Sequence, residues 1–147
     1  MTTEDRDEGE RRTMPTILYI EDNLYNVQLV ERLLLQRPNI QLLTSVQGSP
    51  GIGIAQVRHP ELILLDVHLP DINGFDVLEK LRMDPATANI PIVILSADAT
   101  PGQVRRFRDA GANEYLTKPL DLKLLLGLID NYLGDGNSNG DAEVEVK

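Results

Sequence analysis

The 147-residue chain is 41% apolar and 25% charged, the balance of a soluble globular protein with one domain-sized core. It has no Cys, which excludes disulfides and thiolate chemistry and fits a reducing compartment. A formal net charge of -9 argues against direct nucleic-acid binding, and no apolar run approaches the roughly 20 residues that span a bilayer, so a cytoplasmic protein without a membrane partner is expected.

Residues 1–13 carry five acids and three bases and show no signal-peptide core, so they read as a disordered N-terminal segment. Thr16 to Ile20 is a short strand ending in Glu21-Asp22-Asn23. Asn23 is an N-cap for a helix with Leu24, Val27, Val30, Leu33 and Leu34 at helical spacing, stopped by Pro38 and Asn39. Ile40 to Leu43 reads as a second strand. Gly48 to Gly53 opens a weaker helix whose apolar side is Ile54, Ala55 and Val57, ending near His59-Pro60. That stretch lacks the spacing of a phosphate loop.

Leu62 to Val67 is apolar throughout except for Asp66, and Pro70, Asp71, Asn73 and Gly74 follow. This is the pattern of a strand buried on both faces and closed by a loop. A helix from about Gly74 to Arg82 places Phe75, Leu78 and Leu81 in register. Pro91 to Leu95 is another apolar strand, ending in Ser96. Thr100 with Pro101 caps and opens a fourth helix that Gly111 stops. Glu114 to Thr117 is the fifth strand, followed by Lys118-Pro119. Asp121 caps a last helix lined by Leu122, Leu125, Ile129 and Tyr132, with Gly134 at its C-terminal stop. Residues 14–133 form the domain, and 134–147 read as a disordered acidic tail with no room for an output domain. Five strand-helix units with short connections make an α/β doubly wound five-stranded parallel sheet.

In such sheets ligands bind at the carboxyl ends of the strands. Four of the five ends here carry Glu21 and Asp22, Asp66, Ser96, or Lys118. Three carboxylates brought together repel, and an all-oxygen donor set without Cys suits a hard divalent cation, Mg²⁺. Lys118 can neutralise phosphate charge and Ser96 can hydrogen-bond a phosphate oxygen. An aspartate can itself attack phosphorus.

With these residues in order, the chain resembles the receiver domain of bacterial two-component response regulators, over about Thr16 to Leu133. The resemblance rests on Glu21-Asp22, on Leu64-Leu65-Asp66 with Pro70 and Gly74, on Leu95-Ser96-Ala97 and on Lys118-Pro119. The Tyr19-Ile20-Glu21-Asp22-Asn23 opening looks most like receivers of hybrid histidine kinases and some single-domain regulators. The resemblance implies a flavodoxin-like (βα)5 fold with strand order 2-1-3-4-5. It makes Asp66 the phosphoacceptor, served by a histidine kinase or histidine phosphotransfer protein. It assigns Mg²⁺ to Asp22, Asp66 and the His68 backbone carbonyl, with Glu21 acting through water. Lys118 and Ser96 would contact the phosphoryl group, Tyr115 would be the switch aromatic, and His68 and Asp98 would tune phosphoryl lifetime. It also implies a cis peptide at Lys118-Pro119. Glu21 stands where Asp is commoner, and Ser96 where Thr is commoner.

A Mg²⁺-dependent aspartyl-phosphate phosphohydrolase is the enzymatic alternative, disfavoured by Glu-Asp-Asn after the first strand and by the lack of a cap insertion. A non-phosphorylated pseudo-receiver is disfavoured by Asp66, Ser96 and Lys118 all being present. The chain is therefore not expected to be an enzyme beyond its own phosphorylation and dephosphorylation. Arg105, Arg106 and Arg108 read as a solvated face or a docking surface. Leu124, Leu126 and Leu128 widen the apolar surface of the last helix, leaving room for a downstream protein target or a homodimer through helix four, strand five and helix five.

Overall fold

The computed structural model describes residues 14–134. The expectations for the two tails, Gly134 apart, lie outside the described residues. Strand β1 (Thr16–Ile20) leads to helix α1 (Leu24–Leu33), which tightens into a 3-10 turn at Leu34–Gln36. Next come β2 (Gln41–Ser45), α2 (Gly48–Arg58), β3 (Leu62–Asp66), α3 (Gly74–Met83), β4 (Ile92–Ser96), α4 (Pro101–Asp109), β5 (Glu114–Thr117) and α5 (Leu122–Leu133). The strands are parallel, in the order β2-β1-β3-β4-β5. No helix among the described residues is long and apolar enough to cross a membrane.

Two-residue alternation divides the core between the faces of the sheet. Leu18, Ile20, Ile63, Leu65, Ile92 and Ile94 meet Ala55 of α2, Val77, Leu78 and Leu81 of α3, and Phe107 of α4. Ile17, Tyr19, Leu62, Leu64, Val93 and Leu95 meet Val27, Val30 and Leu33 of α1 and Leu125 and Ile129 of α5. All five residues of β3 and of β4 are buried, which is why both read as unbroken apolar runs.

The helix caps at Asn23 and Asp121 form as expected: their side chains accept the N–H groups of Asn26 and Leu124. Thr100 occupies the N-cap position of α4, but its side chain makes no capping bond. Its own N–H instead donates to Asp98 Oδ1.

Two local expectations need correction. The second strand starts at Gln41 rather than Ile40 and runs on to Ser45. Ile40 is buried, but its N–H closes a turn onto the Arg37 carbonyl, and the sheet begins where Gln41 N–H bonds Pro15. In α2 Ala55 is buried and Ile54 packs against the core as expected, but Val57 is 75% exposed, and Gly48 and Gly51 are buried beside Ala55. Gly51 packs so closely on β1 that a Cβ there would lie 2.7 Å from Ile20 Cδ1.

Candidate functional site

The strand order sets β1, β3, β4 and β5 side by side, so their carboxyl ends form one edge. Glu21 prolongs β1, tied by its N–H to the Ser45 carbonyl of β2. Asp66 ends β3 opposite Leu95, and Ser96 ends β4 opposite Thr117, the residue before Lys118. The bond between Lys118 and Pro119 is cis, as expected.

Glu21, Asp22 and Asp66 each present an oxygen within 4.8 Å of the others. Glu21 and Asp66 are buried, at 1% and 4% exposure, whereas Asp22 stands at the open mouth. Lys118 Nζ donates to Asp66 Oδ1 at 2.7 Å and to Glu21 Oε1 at 3.0 Å. Glu21 Oε1 also accepts the Tyr19 hydroxyl at 2.9 Å, and Oε2 accepts Asn23 N–H at 3.2 Å.

One ammonium among three carboxylates leaves a surplus of negative charge. Burial raises the Asp66 carboxyl above its ordinary 3.8; the Lys118 hydrogen bond opposes this, and repulsion from Glu21 and Asp22 adds to it. Burial works against the Lys118 charge, but its bonds to Asp66 and Glu21 prevail and hold the ammonium above its ordinary 10.5. Burial, with the Glu21 charge behind it, pushes the Tyr19 phenol well above the usual tyrosine range. A site that penalises its own charge in this way, with only oxygen donors, suits a divalent hard cation such as Mg²⁺.

The other expected residues lie on the segments around this cluster. Ser96 is buried, and its Oγ accepts Asp98 N–H at 3.0 Å. Tyr115 points inward: its hydroxyl donates to the Asp98 carbonyl at 2.6 Å, and its ring meets Phe107 edge-on. Hydrogen bonds from Thr100 hold the Asp98 carboxyl below its ordinary value, with a smaller contribution from the charge of His68. His68 itself is exposed in the loop after β3. That loop doubles back sharply, with Gly74 N–H on the Val67 carbonyl at 2.7 Å and the Asp71 carboxylate accepting Gly48 and Ser49 N–H groups at the start of α2. Of the arginines on α4, Arg106 stacks on the Phe75 ring at 3.7 Å, and Arg108 lies 4.0 Å from Glu114.

Tyr19 was not visible as a site residue from the sequence, because it sits in an apolar strand and reads as core. The available signal was its separation of two from Glu21, which puts both side chains on one side of the chain.

The model of the response regulator receiver domain matches residues 17–130. The polar-differentiation response regulator DivK of Brucella ovis is 31% identical over 120 residues, covering 82% of this chain and 97% of that protein. The receiver domain of sensor histidine kinase PA1611 from Pseudomonas aeruginosa, solved with a magnesium ion in its active-site cleft, is 27% identical with a TM-score of 0.73. It covers 82% of this chain and 98% of its own. The phosphorylated cyanobacterial phytochrome response regulator RcpA is 26% identical with a TM-score of 0.70, over 84% of this chain and 96% of its own.

Proposed function

The chain belongs to the response regulator receiver domain family of two-component signalling, and from that premise we propose that Asp66 accepts a phosphoryl group from a phosphohistidine. The observation that carries this reading is the position of Asp66: buried at the end of β3, paired with Lys118, and grouped with Glu21 and Asp22. Receiver domains work with histidine kinases or phosphotransfer proteins and with downstream targets. In the transfer, an Asp66 carboxylate oxygen bonds phosphorus as the N–P bond of the donor breaks, and the donor imidazole keeps that electron pair. Such transfers depend mainly on positioning and charge neutralisation.

Asp22 and Asp66, with the His68 carbonyl and with Glu21 acting through a water, are the groups that would hold Mg²⁺, which when bound supplies positive charge to the phosphoryl oxygens. Lys118, already on Asp66, turns to the incoming phosphoryl group, and Ser96 leaves Asp98 N–H to bond a phosphoryl oxygen. Tyr115 then follows the displaced Asp98 segment. His68 and Asp98, both exposed beside the site, control water access and hence phosphoryl lifetime. The output is read on the face of α4, β5 and α5, by a downstream protein or a second copy of the chain. We place this module, residues 14–133, in the cytoplasm and assign it no covalent chemistry beyond its own phosphorylation and dephosphorylation.

Intact mass after incubation with acetyl phosphate and Mg²⁺ tests the reading. Wild type is expected to gain one labile phosphoryl group, and Asp66→Asn none. Absence of an adduct from acetyl phosphate and from any histidine kinase overturns the reading, and steady turnover of phosphate esters transfers it to the phosphohydrolase alternative.

A further inference from the structure

We propose that Tyr19 is a positioning residue for Glu21: with Lys118 it saturates Oε1, so that Oε2 is the oxygen Glu21 presents to a divalent cation. The inference rests on the metal-site reading above and deepens it. A carboxylate offers about four lone-pair sites, two on each oxygen. Oε1 accepts from both the Tyr19 hydroxyl and Lys118 Nζ, which fills it. Among the described residues Oε2 accepts only Asn23 N–H, which leaves one site open.

Tyr19 is well suited to hold that arrangement. Its ring is fully buried among Leu64, Val27 and the rest of the α1–α5 side of the core, so its hydroxyl has a fixed origin. Its place two residues before Glu21 puts both side chains on the same side of the β1 line. Asp in place of Glu21 is one methylene shorter and could not reach back as far, so the tyrosine and the longer acid act as a pair. Outer partners of this kind orient ligands, and their loss typically costs about 10-fold to 100-fold in metal affinity.

The test is a calorimetric Mg²⁺ titration of the full chain near neutral pH. Tyr19→Phe keeps the ring and removes only the donor, and its Mg²⁺ affinity is expected to fall about tenfold. In a Glu21→Ala background, or Glu21→Leu should the alanine variant not fold, residue 21 offers no oxygen to the Tyr19 hydroxyl, and adding Tyr19→Phe is expected to cause no further loss. A tyrosine acting only through core packing would lower affinity equally in both backgrounds. Unchanged affinity in Tyr19→Phe, or an equal loss without Glu21, overturns the inference while leaving the metal site in place. Failure of the wild type to bind Mg²⁺ overturns the metal-site reading and this inference with it.

Discussion

Lys118 Nζ lies 2.7 Å from Asp66 Oδ1 and closes the same ion cluster at Glu21, so a single positive charge serves two buried carboxylates. Removing it with Lys118→Met leaves those acids facing one another. Breaking a fully buried pair costs about 3–5 kcal/mol. The Lys118 side chain is 20% exposed, so a smaller loss, about 2 kcal/mol, is expected. Mg²⁺ should restore part of it, because a ligand that binds only the folded state stabilises that state. Urea denaturation with and without Mg²⁺ measures both effects. A variant as stable as wild type without the ion would show that the ammonium is not what holds the acids together.

The raised Asp66 carboxyl carries a stability signature with a definite sign. An acid whose folded pKa lies above its unfolded one contributes its stability fully below the unfolded value, and loses it as pH rises through the folded value. Without Mg²⁺, acidification from neutrality toward 3.8 should therefore stabilise the protein through Asp66. Asp71, Asp84 and Asp98 have lowered pKa values, so their contributions are present above 3.8 and fade only below it. Asp66→Asn should be more stable than wild type at neutral pH and should lack the gain on acidification. Thermal melts across that window decide the matter, and an Asp66→Asn protein with the wild-type pH profile would contradict it.

The site was largely legible because four apolar strands end abruptly in polar residues, and topology converts those ends into neighbours. Glu21, Asp22, Asp66, Ser96 and Lys118 all announce themselves by interrupting a hydrophobic run. Tyr19 does not, because an aromatic in a buried strand satisfies the apolar pattern whether or not its hydroxyl has work to do. Val57 falls off the inward side of α2 for a related reason. Hydropathy favours Val57, but the helix lies so close to β1 that the space beside Ile20 admits only a residue as small as Gly51. Ile40 looked like a strand residue because it is buried, yet its N–H belongs to a turn. Apolar character reports burial, not which hydrogen bond the backbone makes.

Three glycines separate close packing from simple helix propensity. A Cβ on Gly74 would lie 2.7 Å from the Asp66 carbonyl oxygen and 2.7 Å from Val67 Cα, both backbone atoms that cannot step aside cheaply. Gly74→Ala should cost about 2–3 kcal/mol and move the strand end that carries Asp66. At Gly53 and Gly127, inside α2 and α5, the same Cβ meets nothing within 4 Å. Alanine there should stabilise by about 0.5–1 kcal/mol by restricting the unfolded chain and favouring helix. Denaturant midpoints for the three variants should fall on opposite sides of wild type; a Gly74→Ala protein as stable as wild type would contradict the close-approach account.

Tyr115 joins β5 to the segment after β4, through a 2.6 Å hydrogen bond to the Asp98 carbonyl. The same segment is pinned at Asp98 N–H by Ser96 Oγ and at Thr100 N–H by the Asp98 carboxylate. The Tyr115 ring is held separately, edge-on to Phe107, so Tyr115→Phe should keep its packing and lose only the hydroxyl contact. A net loss of about 1 kcal/mol is expected for one intramolecular hydrogen bond. Local opening should grow more than global unfolding, so the Asp98 and Thr100 amides should exchange faster while those of β3 keep their protection. Asp66 phosphorylation by acetyl phosphate should remain intact in this variant, because the hydroxyl touches neither carboxylate nor Lys118. Unchanged exchange at Asp98 and Thr100 would mean that Ser96 and Asp98 hold the segment by themselves, and that Tyr115 is a packed aromatic with no part in restraining it.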